Sequence, residues 1–429
     1  IRWSRAAKAD AGGEMPRATI NRREFISTSL AFAALGLNSR AVAQPTDPTK
    51  ASISQAYPLI RSGELSPVEL VNAYLDRIRQ LDDRLNAFIT VTDERAVVRA
   101  RELERELVEG NWRGPLHGIP IALKDNIDTK GVLTTAASEV FAGRMPEEDA
   151  EVVTRLKDAG AIIIGKLNMH EFAYGATSAI SHFGPVHNPW DLDRIPGGSS
   201  GGSGAAVAAQ FCAGALGTDT GGSIRIPAAH CGIVGLKPTY GLASIRGIIP
   251  LSVSFDHVGP MCRSVADAAL LLQALAGYDP LDIASISVPV PDYSSGLQRR
   301  TSALRIGVPR TLFYEDVDPE ILDAVEVALG VLSGLTANAQ EVNLPARPQA
   351  RPVSVEAYEY HADHLEDSRE RYAPSTLERI EQGAEMSAID YAEVLYEVEL
   401  GRKAIAAIFE TVDVLVTPTL VQLPVSIEA

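Results

Sequence analysis

Cysteine is scarce. Cys212, Cys231 and Cys262 are the only three in 429 residues, an odd number with no C-x-x-C spacing. That excludes a disulfide-built scaffold and a cysteine zinc site, and it leaves all three as small core residues. Positive charge is also short: the net charge is -16, which argues against nucleic acid or an anionic membrane surface as a partner. Long apolar runs are absent. The stretch from Leu30 to Leu37 is too short to span a bilayer, so no integral membrane segment is expected in the mature chain. No P-loop lysine follows the glycine-rich runs, and G-x-S-x-G followed by Asp and His is absent in its usual form. There is no internal repeat and no domain linker. Hydrophobic residues at 46% and charged ones at 22% are ordinary for a globular chain, and the length allows a large core.

What is present is glycine and serine in concentrated form. Gly197-Gly198-Ser199-Ser200-Gly201-Gly202-Ser203 has the composition of a flexible tether. Its sequel does not, because Ala205-Ala206-Val207-Ala208-Ala209 suits a closely packed, buried helix. A second glycine pair follows in Asp219-Thr220-Gly221-Gly222-Ser223-Ile224-Arg225. Glycines before a helix start let backbone N–H groups converge on one point as a nest for negative charge. A serine there has the two things acyl transfer needs, a hydroxyl nucleophile and donors for an oxyanion. Asp219 and Arg225 flank this loop and are expected to pair and stiffen it.

The base is sought upstream, in Gly118-Ile119-Pro120-Ile121-Ala122-Leu123-Lys124-Asp125-Asn126. This reads as a short apolar strand running into a lysine. A lysine at the buried end of a strand is costly unless paired or neutral. Desolvation lowers its pKa, and a useful general base sits near ~7–8. The eight histidines offer a Ser-His-Asp alternative. His117 and His257, however, lie in turns and read as structural. His361 and His364 lie among charged residues and read as a solvated helix face rather than a metal site.

These segments together resemble the amidase signature family. The likeness is carried by Lys124 in Ala-Leu-Lys-Asp-Asn, Ser199 in Gly-Gly-Ser-Ser-Gly-Gly-Ser, and Ser223 in Asp-Thr-Gly-Gly-Ser-Ile-Arg-Ile-Pro. Cys231 to Thr239 and Asp256-His257-Val258-Gly259-Pro260-Met261 add to it. It is dense from about Ser66 to Gly277 and thinner beyond. The resemblance implies a single large α/β/α domain with a mixed, twisted central sheet covered by helices. It implies a Ser223 nucleophile, Ser199 as the proton shuttle and Lys124 as the base. The N–H groups of Thr220, Gly221, Gly222 and Ser223 would form the oxyanion hole. The implied reaction is hydrolysis of a small-molecule carboxylic amide, with no metal or organic cofactor. Two alternatives stand beside it. One is a protein like the A subunit of an amidotransferase, handling glutamine and ammonia for tRNA-dependent amidation. The other is a non-catalytic binding protein on the same scaffold.

The amino-terminal 43 residues differ from the rest. They hold seven Lys/Arg against three acids, a balance of +4 that leaves -20 for the remainder. Arg22-Arg23 precedes the apolar run and then Ala41-Val42-Ala43, the order of a twin-arginine export signal with an A-x-A cleavage site. Residues 1–43 are therefore expected to be an extension and signal, with Met15 as a natural start. Residues 44–429 are expected to be the amidase domain, truncated at its C-terminus. The location would be periplasmic or secreted by the twin-arginine route if the signal functions, and cytoplasmic otherwise.

Along the rest of the chain, Ser66-Pro67-Val68-Glu69 is a capping box opening a helix. Glu94 to Glu109 reads as a charged surface helix. Val152 to Ala159, then Ala161 to Gly165, reads as helix then buried strand, an alternation that favours a sheet covered on both faces. Ser264 to Gly277 reads as a buried helix closed by glycine. Leu304 to Val308 and Asp413 to Thr419 read as strands. Between them Asp318-Pro319-Glu320 caps a helix through Val331, and Glu356 to Ile408 carries long helical segments.

Overall fold

The computed structural model describes residues 47–345 and 352–428. The expected export signal lies outside them. Helix α1 (Ile53–Ser62) is followed by α2 (Pro67–Leu85), which starts at the capping box: Ser66 Oγ accepts from the N–H groups of Val68 and Glu69, and the Glu69 carboxylate accepts from the Ser66 N–H. Leu70, Val71, Tyr74, Leu75 and Ile78 form its buried stripe, the i, i+3, i+4 face of an amphipathic helix. Strand β1 (Phe88–Val91) leads to α3 (Asp93–Val108), β2 (Pro120–Lys124), α4 (Glu151–Asp158) and β3 (Ile162–Leu167). Then come α5 (Gly201–Ala208), β4 (Gly214–Asp219), α6 (Arg225–Cys231), β5 (Val234–Gly235), β6 (His257–Cys262) and α7 (Val265–Leu275).

These six strands make one sheet in the order β1-β3-β2-β4-β6-β5. The centre is parallel, β3 with β2 and β2 with β4, and the flanks are antiparallel. Every residue of β2 and of β4 is buried. A parallel strand covered on both faces must be apolar nearly throughout, and Ile121, Ala122, Leu123, Ala215 and Leu216 meet that requirement. The mixed α/β architecture agrees with the expected fold class.

The remaining chain adds β7 (Arg305–Val308), α8 (Pro319–Leu335), β8 (Asn338–Glu341), α9 (Val353–Ser368), α10 (Pro374–Glu381), α11 (Ala388–Ile408) and β9 (Val414–Leu415). Here the structure departs from the sequence reading. The three strands do not join the main sheet but form a separate parallel one, in the order β8-β7-β9. The last strand is the pair Val414–Leu415 rather than the whole of Asp413 to Thr419. Helix α7 is not closed by glycine: Ala276, in extended conformation, ends it, and Gly277 follows. His361 is not on a solvated face. It is 1% exposed, its Nδ1 lies 3.0 Å from the Tyr372 hydroxyl, and its ring packs edge-on against Phe172. Burial pushes its imidazole down to about 3, so the ring sits neutral in an aromatic cluster. Through that cluster α9 and α10 pack on the segment around Phe141 and Phe172. No helix among the described residues is long and apolar enough to cross a membrane.

Candidate active site

The parallel strands β2 and β4 run side by side in register, Leu123 opposite Leu216. Their carboxyl ends therefore emerge together, the usual place for a site in an open α/β sheet. Lys124 closes β2 there and Asp219 closes β4. Lys124 Nζ lies 2.7 Å from Ser199 Oγ and 2.7 Å from Thr218 Oγ1. Lys124 and Ser199 are both fully buried. Burial lowers the lysine to about 7, against a smaller upward pull from the carboxylates of Asp256 and Asp219. Neutral and protonated amine are then of similar abundance at pH 7, as a general base requires.

A second buried lysine shows what is particular about the first. Lys166, on the neighbouring strand, is equally inaccessible, but Asp125 stands 3.4 Å from its ammonium. The Ile127 carbonyl and the Thr134 hydroxyl complete its shell. Lys124 makes its hydrogen bonds to hydroxyls alone, with no carboxylate within salt-bridge distance among the described residues. Burial pushes both amines down; at Lys166 the touching Asp125 carboxylate opposes this, whereas at Lys124 the opposing carboxylates, Asp256 and Asp219, act only from beyond salt-bridge distance.

The glycine-serine run reaches this lysine in one conformation. Four of its residues matter most: three serines, which the structure separates, and Gly202. Ser200 Oγ donates to the Thr218 carbonyl and Ser203 Oγ to the Leu216 carbonyl, so both tie α5 to β4. Ser199 alone of the three presents its hydroxyl to Lys124. Its carbonyl is pinned by the His170 N–H at 3.0 Å and by Ser178 Oγ at 3.2 Å, and the Gly198–Ser199 peptide is cis. Glycine is required at position 202 for a packing reason. A Cβ there would stand 2.3 Å from the Asn168 carbonyl oxygen and 2.6 Å from that of Ala87.

The turn after β4 carries Ser223, half-buried rather than sealed, whose carbonyl accepts from the Ser200 N–H at 3.2 Å. Asp219 shapes this turn. Its carboxylate takes a two-pronged contact from Arg225 at 2.8 and 2.9 Å, and also accepts from the N–H groups of Gly222 and Ile224. Burial alone would raise this carboxyl, but the Arg225 guanidinium and the two amides hold it below its ordinary value. The expected Asp219–Arg225 pair is thus present. One expectation narrows, however. The Gly222 N–H is committed to Asp219 at 2.7 Å, which leaves the N–H groups of Thr220, Gly221 and Ser223 as the available donors of the turn. Gly222 itself has φ +128, a value that only glycine adopts without strain.

Neither His170 nor the two histidines expected in turns offers a rival base. His170, whose N–H holds the Ser199 carbonyl, is lowered by burial to about 3, and its Nδ1 faces Thr177 and Ser178. His117 Nε2 contacts the Leu103 carbonyl, and His257 contacts Phe255, Asp219 and Lys237. Both are structural, as their turns suggested. Two contacts escaped the sequence reading: Thr218, and Asn126, whose Nδ2 donates to Thr218 Oγ1 at 3.2 Å. Thr218 could have been noticed as the one hydroxyl within β4, between an apolar run and Asp219. A separate cleft of about 320 Å3, bordered by Arg95, Arg113, Lys130 and Lys157, contains none of these residues. Arg113 is paired there with Glu106 and Lys157 with Asp149.

A buried lysine-serine pair at the carboxyl edge of a mixed sheet, beside a glycine turn bearing a second serine, defines a class of acyl-transfer site. The chain belongs to the amidase family, amidase signature type, whose model matches residues 69–429. It is 48% identical over 294 residues to the A subunit of glutamyl-tRNA(Gln) amidotransferase from Geobacter sp. (strain M21), covering 68% of this chain and 60% of that protein. The chain thus spans about 60% of the length of this curated relative. Among solved structures it resembles a protein of the vestigial complex that reveals the evolutionary origins of an s-triazine catabolic enzyme. The TM-score is 0.83 at 35% identity, over 88% of this chain and 83% of that one. The native peptide amidase from Stenotrophomonas maltophilia is similar with a TM-score of 0.76 at 33% identity, over 89% and 87% of the two chains.

Proposed function

We propose that the chain cleaves the C–N bond of a carboxylic amide through an acyl-enzyme on Ser223. The observation that carries this reading is the Lys124 amine, fully buried and 2.7 Å from Ser199 Oγ, with no carboxylate of the described residues within salt-bridge distance. Neutral Lys124 takes the Ser199 proton as Ser199 takes the Ser223 proton. Ser223 Oγ then attacks the amide carbon, and the carbonyl π electrons move to oxygen. That oxyanion rests on the N–H groups of Thr220, Gly221 and Ser223, with Gly222 and Asp219 holding the turn rigid. Losing one such donor typically costs ~3–4 kcal/mol. Ser199 passes a proton to the leaving nitrogen, the C–N bond breaks, and water, deprotonated by the same Ser199–Lys124 pair, releases the acid. The test is a serine-directed fluorophosphonate. Peptide mapping should place the adduct on Ser223, and an adduct on another residue of folded protein overturns the assignment.

A second reading is favoured by the 48% identity to an amidotransferase's A subunit. Here the amide would be that of glutamine, and the ammonia would pass to partner subunits for tRNA-dependent amidation. The two readings share the chemistry and differ in company. Ammonia release from small amides by the chain alone supports the first. Release only from glutamine, and only when partner subunits are present, supports the second. The Arg22-Arg23 motif and Ala41-Val42-Ala43 favour export and hence the first. The double substitution Arg22→Lys, Arg23→Lys should retain the protein in the cytosol, and unchanged periplasmic recovery would exclude the route.

A further inference from the structure

Two carboxylates outside the Ser-Ser-Lys set accept from the same short turn, residues 251–254. Asp256, 5% exposed, accepts the Thr220 hydroxyl on Oδ1, and on Oδ2 the N–H groups of Leu251 at 2.8 Å and Ser252 at 3.0 Å. Glu356, on α9, accepts Ser252 Oγ at 2.6 Å and the Ser254 N–H at 3.0 Å on Oε2. On Oε1 it accepts the Tyr391 hydroxyl of α11 at 2.8 Å. Neither carboxylate has a cation within salt-bridge distance among the described residues. Burial raises Asp256 to about 6. Burial also pushes Glu356 upward, but the donors from Ser252, Ser254 and Tyr391 together outweigh it and keep that carboxyl low. Each anion is therefore held by hydroxyls and amides, bonds that are directional in a way an exposed ion pair is not.

The path is continuous: Tyr391 to Glu356, Glu356 to Ser252, Ser252 to Asp256, Asp256 to Thr220. Thr220 is the first residue of the turn that offers its N–H groups beside Ser223. We infer that Glu356 is a positioning residue which, through the Ser252–Asp256 turn, sets the oxyanion donors, so that helices α9 and α11 govern acylation at Ser223. This rests on the Ser223 reading above and adds to it a control point far along the chain from the nucleophile. A carboxylate that merely anchored α9 would affect stability alone. One that aims the turn affects the rate of attack, because a misplacement of about 1 Å in catalytic groups costs up to about 10^2-fold, and its effect depends on the Thr220 hydroxyl.

The experiment uses the full chain and a fluorophosphonate, whose attack by Ser223 develops charge on the phosphoryl oxygen. Glu356→Gln should lower the inactivation rate constant about 10^2-fold with the inhibitor's KI unchanged. Amide exchange over residues 220–224 should rise. In a Thr220→Val background, where Asp256 has no hydroxyl of the turn left to hold, Glu356→Gln should add little. Tyr391→Phe, which removes one donor from Glu356, should give a weaker version of the same effect and serves if Glu356→Gln does not fold. An unchanged rate with unchanged exchange at 220–224, or full additivity with Thr220→Val, overturns the relay while leaving the Ser223 reading intact. If the wild type is not labelled at Ser223, both fall.

Discussion

Strands β2 and β8 lie at opposite extremes of this molecule. All five residues of β2 are buried, and all four of β8 are exposed. The contrast extends to their surroundings. Around β2 the core runs without interruption through α2, β3, α5, β4 and α7. Around β7 and β8 the cluster reduces to Ile306, Val308 and Leu329, and the 17-residue α8 buries only Leu329. The difference shows where catalytic chemistry can be housed. A lysine is tuned to about 7 only where water is excluded on every side, and the core around the six-stranded sheet excludes it while the surroundings of the three-stranded sheet do not. The long helices contribute cover, the aromatic contacts on Phe172 and the Glu356 contacts on the 252–254 turn.

The largest expected effects lie on the dry side. Ser223→Ala should lower turnover by about 10^6-fold, the scale seen on removing an acyl-transfer nucleophile, with the unfolding transition unchanged. Lys124→Ala should cost ~10^2–10^4-fold in acylation, the usual share of a general base. Lys124→Arg should not rescue it, since guanidinium stays protonated; a full-rate Lys124→Arg enzyme would move the base elsewhere. Wild-type activity should rise with pH through about 7, because the protonated amine below that value cannot accept from Ser199. A flat profile across about one pH unit either side of that value would remove the lysine from the proton path.

Smaller effects sharpen the contrast in stability. Leu123→Ala, at a site with no exposure, should cost ~2–5 kcal/mol through lost burial and the cavity left behind. Val331→Ala on α8, where the valine is 60% exposed, should stay within about 0.5 kcal/mol. Denaturant midpoints at constant slope measure both. Equal losses would mean that the outer sheet and helices are as structurally committed as the core.

Most of the dry side was legible in the sequence, because its signals are local. The Ser66 capping box, the apolar run into Lys124 and the glycine pairs before α5 and α6 each declare themselves within a few residues. What escaped depends on distant partners. Arg305 to Val308 reads as a strand, but its neighbours begin at Asn338 and Val414, and nothing local says that these three form a sheet of their own. His361 lies among acids and tyrosines in the sequence, and only packing on Phe172 and Tyr372 makes it a buried ring. Asp256 fell within a matched motif, yet its grip on Thr220 requires the turn to be folded. The expected Gly222 donor was lost for a similar reason: Asp219 reaches it only once the turn has closed.

Gly202 carries a consequence for how this gene can change. Two carbonyl oxygens stand where any side chain would begin, so every missense codon there is closed, alanine included. A stretch with the composition of a spacer would then behave under saturation mutagenesis as one of the least substitutable in the protein. Surveys that score tolerance by composition would rank it among the most permissive.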